Sequence, residues 1–249
     1  RMGLQEGKAI AITGAGRGRG EASAKLAAAE GARVLVNDID RDEAHRVAGL
    51  LRDAGAEVQA NTSDISTWDG ARELVSQCVD RFGAVNGFVN NAAIFHMASI
   101  DDEDEARIRR AVEVNILGST FCGLLALRQM REQGAGSLVN IVSGAQAGIF
   151  AMSTYGATKG AAASLTYAWA LETAGTAVRV NAASPIAQTR TSSLMVDFMR
   201  NLGRDVPGRA AQQNVDLRPM DAGAAPLEGE AGAVLEDAPC DVALLIGTL

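Results

Sequence analysis

Short apolar runs alternate along the chain with longer stretches in which apolar residues recur at helical spacing. Each short run predicts a buried strand, and each longer stretch predicts a helix. The predicted strands cover residues 8–13, 33–37, 57–62, 85–90, 137–142 and 177–183. The predicted helices cover residues 20–30, 41–54, 66–82, 103–133 and 153–174. This alternation predicts a single α/β domain with a doubly wound, mostly parallel sheet and a ligand site at the carboxyl ends of its strands.

A glycine-rich turn joins the first predicted strand to the first predicted helix. It contains Gly14, Gly18 and Gly20, spaced Gly-x-x-x-Gly-x-Gly. A phosphate that approaches such a turn meets bare backbone N–H groups and the positive end of the helix dipole. The more general Gly-x-Gly-x-x-Gly fingerprint is not met, because Arg19 takes the place of its last glycine. The strand before the turn and the helix after it favour nucleotide binding over a flexible loop.

An acidic residue after the second predicted strand indicates which dinucleotide binds. Asp38 follows the strand 33–37 and lies twenty-four residues after Gly14. A carboxylate there can accept hydrogen bonds from both hydroxyls of the adenosine ribose and repels a 2′-phosphate, which favours NAD over NADP. Arg17 favours the opposite choice, because a basic residue in the turn can bind a 2′-phosphate. Asp38 is also an ordinary loop residue, so NADP stays open as the less favoured cofactor.

Tyr155 and Lys159 are candidates for proton transfer. They lie four residues apart in the last predicted helix and therefore share one face. A free phenol keeps its proton up to a pKa of about 10, and a nearby ammonium favours the phenolate. Ser143 lies twelve residues upstream of Tyr155, and Asn115 lies further back. Taken singly, Ser143 could cap a helix and Asn115 could satisfy buried backbone groups.

The order of these motifs resembles the short-chain dehydrogenase/reductase (SDR) family over residues 7–191. The matching segments are the glycine turn, Asn90 to Ala93, Val114 to Gly118, Asn140 to Ser143, Tyr155 to Lys159 and Arg179 to Pro185. Ala93 is a departure, since most members have glycine there, and Ile186 is another after the proline. The resemblance implies a Rossmann-like domain and an NAD(P)-dependent oxidoreductase that acts on CH–OH groups.

The resemblance also implies a role for each motif. Tyr155 would exchange a proton with the substrate oxygen while hydride moves to or from the nicotinamide. Lys159 would lower the pKa of Tyr155 and hold the nicotinamide ribose. Ser143 would hydrogen-bond the substrate oxygen, and Asn115 would keep a water on the proton path. The expected cofactor-binding residues are Gly14, Arg17, Gly18, Gly20, Asp38, Asp64, Asn91, Ala92, Tyr155, Lys159, Pro185, Thr189 and Thr191.

The sequence leaves alternatives open for two of these contacts, which involve three residues. Asp64 would contact the adenine ring, although an aspartate leading into a helix explains it equally well. Thr189 and Thr191 are both candidates for the contact to the nicotinamide carboxamide, and the sequence does not choose between them.

Apolar residues near the catalytic segment predict a hydrophobic substrate pocket. We expect a small hydrophobic secondary alcohol or its ketone as the substrate, covered by residues 192–218. The expected substrate contacts are Ser143, Ile149, Phe150, Tyr155, His96, Leu194 and Met195. The same apolar positions could instead form ordinary core or a subunit contact, and His96 could be a surface loop residue.

The leading hypothesis is an NAD-dependent oxidoreductase that interconverts a hydrophobic secondary alcohol and its ketone, with Tyr155 as acid and base. The first alternative is an NADPH-dependent ketoreductase of biosynthesis. The second alternative is a catalytically inactive nucleotide-binding sensor or scaffold.

Charge and hydropathy argue against several other classes. The 249-residue chain has a net charge of −7, which argues against nucleic acid as a partner. No apolar stretch reaches the length that a bilayer requires, and the amino terminus lacks the apolar region of a signal peptide, so we expect no membrane partner. The acidic run 101–105 is expected to be the solvated start of a helix.

Cysteine and histidine patterns predict neither disulfides nor a metal. Cys78, Cys122 and Cys240 are odd in number and widely spaced, which favours a reducing cytoplasm. His45 and His96 have no cysteine or carboxylate cluster at ligand spacing, so no metal site is expected.

The carboxyl-terminal residues fit the resemblance least well. Residues 219–249 contain six acidic residues, no basic residue and no aromatic residue. We expect this divergent acidic tail to be partly disordered, although 241–247 resembles the family's seventh strand. In relatives that strand builds one face of a tetramer, so the resemblance implies a homotetramer or, if the tail is disordered, a homodimer built from the helices of Asn115 and Tyr155.

Overall fold

Six parallel strands form one sheet in the computed structural model, which describes residues 3–185. The strands are β1 (Ala9–Ile12), β2 (Arg33–Asn37), β3 (Val58–Asn61), β4 (Gly87–Asn90), β5 (Gly136–Ile141) and β6 (Val178–Ala183). They lie in the order β3-β2-β1-β4-β5-β6, and every neighbouring pair is parallel. The doubly wound parallel sheet is therefore confirmed. Its strand order reverses between β1 and β4, where open α/β sheets bind their ligands.

Several expectations fall on residues outside the described range. They are the contacts of Thr189, Thr191, Leu194 and Met195, the covering segment 192–218 and the acidic tail 219–249.

Six α-helices connect the described strands. They are α1 (Gly18–Ala29), α2 (Arg41–Asp53), α3 (Trp68–Phe82), α4 (Glu105–Ala111), α5 (Ser119–Glu132) and α6 (Ser153–Glu172). The side chains of Asp40, Thr67 and Asp104 cap α2, α3 and α4 by accepting hydrogen bonds from the first turn. A π-helical segment (Val112–Gly118) joins α4 to α5, so the helix predicted over 103–133 is continuous but contains a wider turn.

Alternate residues of β1 face two separate cores. Ala9 and Ala11 pack in the core that contains residues of α3, α5 and α6, whereas Ile10 and Ile12 pack in the core that contains residues of α1 and α2. Both faces of the sheet are thus covered by helices, which is why its strands read as continuous apolar runs. The edge that remains open to a ligand is the one at the carboxyl ends of the strands.

The helical run from Glu105 to Glu132 corrects one expectation from hydropathy. Its 28 residues include an 18-residue window with a mean hydropathy of 1.3, so by length and composition alone it could cross a bilayer. In the fold, 44% of that window is buried, and Cys122, Ala126 and Met130 belong to the core beside the sheet. We therefore interpret the run as a core helix.

Within residues 3–185, Cys78 and Cys122 are buried free thiols. Burial raises the pKa of each thiol to about 12. The same part of the chain contains no group of three or more His, Cys, Asp or Glu side chains placed to hold a metal ion.

Candidate active site

A cleft of about 750 Å³ lies at the carboxyl ends of the strands. Loops that follow each of the six strands contribute to its lining. The predicted site residues that line it are Gly14, Arg17, Gly18, Gly20, Asp38, Asp64, Asn91, Ala92, Ser143, Ile149, Tyr155, Lys159 and Pro185. Residues that are scattered along the sequence therefore meet in one place.

Close backbone contacts explain why the turn after β1 needs glycine. A Cβ on Gly14 would lie 2.8 Å from the Cα of Ala92, and a Cβ on Gly20 would lie 2.1 Å from the carbonyl oxygen of Gly14. The Asn91 side chain holds this arrangement by donating to the carbonyls of Thr13 and Gly14, at 2.9 and 3.0 Å. Gly18 has φ +54° and faces open space, so bare backbone borders the cleft at the start of α1.

Asp38 is fixed at the rim of the cleft by backbone N–H groups. Its two carboxylate oxygens accept hydrogen bonds from Gly16 N (2.9 Å) and Asp40 N (3.0 Å). Arg17, which also lines the cleft, forms ion pairs with Asp40 and Glu43, the latter at 3.6 Å. The acidic character of this end of the cleft is therefore preserved despite the arginine in the turn.

Asp64, which follows β3, also lines the cleft. Its Oδ1 accepts hydrogen bonds from the backbone and the hydroxyl of Ser66, at 3.0 and 2.7 Å. Burial raises the pKa of Asp64, but these hydrogen bonds and the charge of Arg110 outweigh that effect and lower it. Asp64 thus both borders the cleft and orders the loop that leads into α3.

Tyr155 and Lys159 share one face of α6, as their spacing predicts. The Lys159 ammonium lies 5.7 Å from the centre of the Tyr155 ring and donates a hydrogen bond to the carbonyl of Ile141 (2.7 Å). The Tyr155 ring packs edge-on against Phe95, with 5.0 Å between ring centres. The phenol is therefore held between α6 and the loop after β4.

Burial dominates the ionisation of both side chains. It raises the pKa of Tyr155, while the positive charge of Arg19 and a hydrogen bond with Ser143 act in the lowering direction. Burial and the charge of Arg19 lower the pKa of Lys159 to about 8. The sequence predicts a lowered pKa for Tyr155; the difference arises because the phenol is buried and because Arg19, rather than Lys159, is its main electrostatic partner.

Asn115 joins the loop after β4 to α6. Its side chain accepts from Ile94 N (2.7 Å), donates to Ile94 O (2.9 Å) and donates to the hydroxyl of Thr158 (3.0 Å). This is the satisfied buried asparagine that the sequence left open as an alternative to a water-holding role. Asn115 stands in the π-helical segment, a distortion that often marks functional sites.

Two expected substrate contacts are not in the cleft. His96 points to Glu103, with 2.9 Å between Nε2 and Oε1, and Glu103 also accepts from the hydroxyl of Thr154 at 2.6 Å. Phe150 is half-exposed and does not line the cavity. Phe95 lines the cleft instead of His96, because consecutive residues of an extended loop point in different directions.

Glu103 also corrects the interpretation of the acidic run. Only 13% of its side chain is exposed, whereas the sequence predicts a fully solvated run. Its position next to His96 and Thr154 explains why it is buried.

Several lining residues were missed from the sequence. They include Arg19, Ile94, Phe95, Arg110 and Val114. Phe95 and Ile94 directly follow the Asn-Asn-Ala-Ala segment, a signal that could have identified them. Arg19 was noticed only as a departure from a glycine pattern.

Comparison with known proteins identifies the class. The sequence model of the short chain dehydrogenase family matches residues 8–197. This match covers well over half of the chain, so the chain belongs to the short-chain dehydrogenase family. The resemblance seen in the motifs is thereby confirmed.

Individual relatives agree with this assignment. The chain is 37% identical to 2-(S)-hydroxypropyl-CoM dehydrogenase 3 of Xanthobacter autotrophicus, over 73% of this chain and 72% of that protein. It is 36% identical to 3-alpha-(or 20-beta)-hydroxysteroid dehydrogenase of Mycobacterium bovis, over 72% of this chain and 68% of that protein. The structure matches a short chain dehydrogenase from Mycobacterium avium with a TM-score of 0.72 and 33% identity, over 76% of this chain and 70% of that one. The protein is an oxidoreductase that acts on CH–OH groups, that is, on an alcohol or the corresponding ketone.

Proposed function

We propose that the protein is an NAD-dependent oxidoreductase that interconverts a hydrophobic secondary alcohol and its ketone, with Tyr155 as acid and base. The observation that carries the cofactor choice is the fixed carboxylate of Asp38, which Gly16 N and Asp40 N hold at the rim of the cleft. The neighbouring Arg17 is engaged by Asp40 and Glu43. A 2′-phosphate would therefore meet negative charge, whereas ribose hydroxyls would find an acceptor.

The cleft also suits the rest of a nicotinamide dinucleotide. Gly14 and Gly20 leave no space for a Cβ, and Gly18 faces open space, so the turn and the start of α1 present backbone N–H groups suited to a pyrophosphate. When bound, the nicotinamide supplies the hydride acceptor or donor. The residues that would hold the dinucleotide include Asp38 at the adenosine ribose, Asn91 behind the turn and Lys159 at the inner end.

We assign the proton transfer of the reaction to Tyr155. In the reducing direction the phenol gives its proton to the substrate oxygen, and in the oxidising direction the phenolate takes that proton from the alcohol. Ser143 lines the cleft together with Tyr155 and acts to lower the pKa of its phenol. Lys159, whose pKa is about 8, can gain or lose a proton near neutral pH. It can therefore pass a proton to Tyr155 after the phenol has given up its own.

Apolar side chains beside Tyr155 support a hydrophobic substrate. Ile94, Phe95, Ile149 and Met152 line the cleft close to the phenol. They form a wall suited to a hydrocarbon framework rather than to a sugar. The similarity to a hydroxysteroid dehydrogenase supports the same substrate class.

Titration with NADH and NADPH, followed by nicotinamide fluorescence, tests the cofactor choice. We expect NADPH to bind at least about tenfold more weakly than NADH, because like charges brought together at a binding site are strongly unfavourable. Replacing Asp38→Ala together with Ile39→Arg should reverse this preference. Asp42→Ala, an exposed residue in the first turn of α2, is the matched control and should leave the preference unchanged.

Three results would argue against the proposal. Equal affinity for the two nucleotides would remove the role of Asp38. Binding of neither would remove the cofactor site. Tight NADH binding without oxidation of hydrophobic secondary alcohols by NAD would favour the sensor or scaffold alternative.

A further inference from the structure

Arg19 is a cationic residue of the cleft without an acidic partner in the described part of the chain. It is the second residue of α1, and its side chain lines the cleft together with Tyr155 and Lys159. Its Nε is buried and has no hydrogen-bond acceptor. No carboxylate between residues 3 and 185 forms an ion pair with its guanidinium.

The neighbouring arginine of the same turn, Arg17, takes up the nearby acidic residues as its own ion-pair partners. Arg17, whose side chain is 46% exposed, forms ion pairs with Asp40 and Glu43. Arg19 lines the same cleft but forms no ion pair with a carboxylate of residues 3–185. The two arginines are two residues apart, yet one is neutralised and the other is not.

Electrostatics at the inner end of the cleft are unbalanced. Burial lowers the pKa of Arg19, and the Arg19 charge in turn lowers the pKa of Lys159. The two carboxylates that line the described cleft, Asp38 and Asp64, accept hydrogen bonds from other groups, from Gly16 and Asp40 and from Ser66 respectively. A partly buried guanidinium that lacks a counter-charge is unfavourable, and its planar array of donors matches a phosphate or a carboxylate.

We propose that Arg19 binds an oxyanion in the cleft between the glycine turn and Tyr155. The inference rests on the proposed function for the identity of that oxyanion, since two ligands of the reaction can carry one. The first is the pyrophosphate of the dinucleotide, and the second is an acidic group on the substrate. In either case the guanidinium donates charge-assisted hydrogen bonds that no protein group between residues 3 and 185 accepts.

This role predicts opposite effects of one substitution on the free and the bound protein. Arg19→Met keeps an unbranched apolar stem but removes the unpaired charge. Without ligand, the variant should be more stable than the natural chain, with Tm higher by about 2 °C or more. With ligand, the variant should lose affinity. A residue that merely supports the fold would not combine a gain of stability with a loss of binding.

Calorimetric titration with NADH, ADP-ribose and inorganic pyrophosphate tests whether Arg19 binds the pyrophosphate of the dinucleotide. Arg19→Met should weaken the binding of these ligands by about tenfold or more, because a hydrogen bond to a charged group is lost. Lys25→Met is the matched control, since Lys25 lies on the same helix and pairs with Glu21 at 2.7 Å. It should change each Kd by less than about threefold.

Inhibition by 4-oxopentanoate and by its methyl ester, measured at saturating NADH, tests the second source. If Arg19→Met weakens inhibition by 4-oxopentanoate but not inhibition by its methyl ester, the oxyanion belongs to the substrate. A loss confined to NADH, ADP-ribose and pyrophosphate assigns it to the dinucleotide. Unchanged affinity for all of these ligands overturns the inference.

A comparison of nucleotide binding with pyrophosphate binding separates this inference from the proposed function. A natural chain that binds neither NADH nor NADPH contradicts the proposed function, whereas pyrophosphate binding that disappears in Arg19→Met would still support the anion site. Arg19→Lys guards against misfolding of the first variant. It keeps the charge but not the planar donors, so we expect a loss of about two- to fivefold in affinity, and a loss as large as that of Arg19→Met would contradict a role for the charge.

Discussion

Two positive charges surround the phenol of Tyr155, but they act differently. The charge of Arg19 lowers the pKa of Tyr155 against the raising effect of burial, whereas the ammonium of Lys159 is directed to the carbonyl of Ile141. Arg19 also opposes protonation of Lys159. A ligand oxyanion bound to Arg19 would therefore change the proton affinity of both catalytic side chains, which links ligand binding to proton transfer at single residues.

An alkaline titration of phenolate absorbance tests this electrostatic coupling. The chain has two tyrosines, and Tyr167 is 70% exposed, so subtracting the curve of Tyr155→Phe isolates Tyr155. We expect Arg19→Met to raise the pKa of Tyr155, because it removes a positive charge that favours the phenolate. Ser143→Ala should also raise it, since a hydrogen bond that lowers the pKa is lost. A pKa of Tyr155 that stays constant in Arg19→Met would contradict the coupling.

At the scale of elements, two polar links fasten the loop after β4 to α6. Asn115 joins Ile94 to Thr158, and Glu103 joins His96 to Thr154. Between these links, Phe95 packs against the ring of Tyr155. The loop, the π-helical segment and the catalytic helix therefore form one unit, and the position of the phenol depends on contacts far from it in sequence.

The Glu103 link predicts a pH-dependent contribution to stability. Burial raises the pKa of Glu103, but hydrogen bonds from Thr154 and His96 and the charge of His96 outweigh it and lower the pKa below 4.5. Its contribution is therefore present above pH 4.5 and is lost as the pH falls through the folded pKa. Glu103→Gln should reduce the free energy of unfolding by about 1–3 kcal/mol at pH 7.

Urea unfolding at pH 7 and pH 4 measures this effect. The difference between the natural chain and Glu103→Gln should shrink at the lower pH. The control is Glu105→Gln, because the Glu105 side chain is 78% exposed and, among residues 3–185, pairs with Arg109 on the surface. It should change the free energy of unfolding by no more than about 0.5 kcal/mol. A difference for Glu103→Gln that is independent of pH would show that packing, not charge, is responsible.

Element boundaries were well predicted because the apolar pattern directly reflects burial. β2 was placed at 33–37, as observed, and β4 at 85–90 against an observed Gly87–Asn90. The π-helical segment was not predicted, because a turn widened by one hydrogen-bond step keeps nearly the same pattern of apolar residues. Within this segment, Asn115 contacts the loop after β4 and α6.

At the scale of the molecule, the location of the site was predictable and the direction of some side chains was not. Parallel strands bring their carboxyl ends to one edge, so motifs after β1, β2, β4 and β5 had to meet there. Within loops, no periodicity fixes orientation. The sequence therefore predicts His96 in the pocket, where the structure has Phe95. The position of Arg19 in the cleft became visible only in the fold.

The two cores make the central strands decisive for the stability of the whole domain. Phe88 on β4 is fully buried, and it packs in the core on the α3, α5 and α6 side of the sheet. β4 pairs with β1 at the reversal of strand order and ends at Asn90, next to the cleft. A cavity at Phe88 should therefore weaken the support of the cleft as well as the core.

Phe88→Ala should lower the free energy of unfolding by about 3–5 kcal/mol, a large part of the roughly 5–15 kcal/mol that holds a domain together. Tyr167→Ala, at an exposed aromatic position, should change it by no more than about 0.5 kcal/mol. Because NADH is expected to bind only the folded chain, a concentration of about 100 times its Kd should return about 2.7 kcal/mol to Phe88→Ala in urea unfolding. Two results would contradict a single cooperative unit that joins the core to the cleft. One is a gain in the stability of Phe88→Ala when NADH does not bind. The other is a loss of stability in Phe88→Ala that is no larger than the loss in Tyr167→Ala.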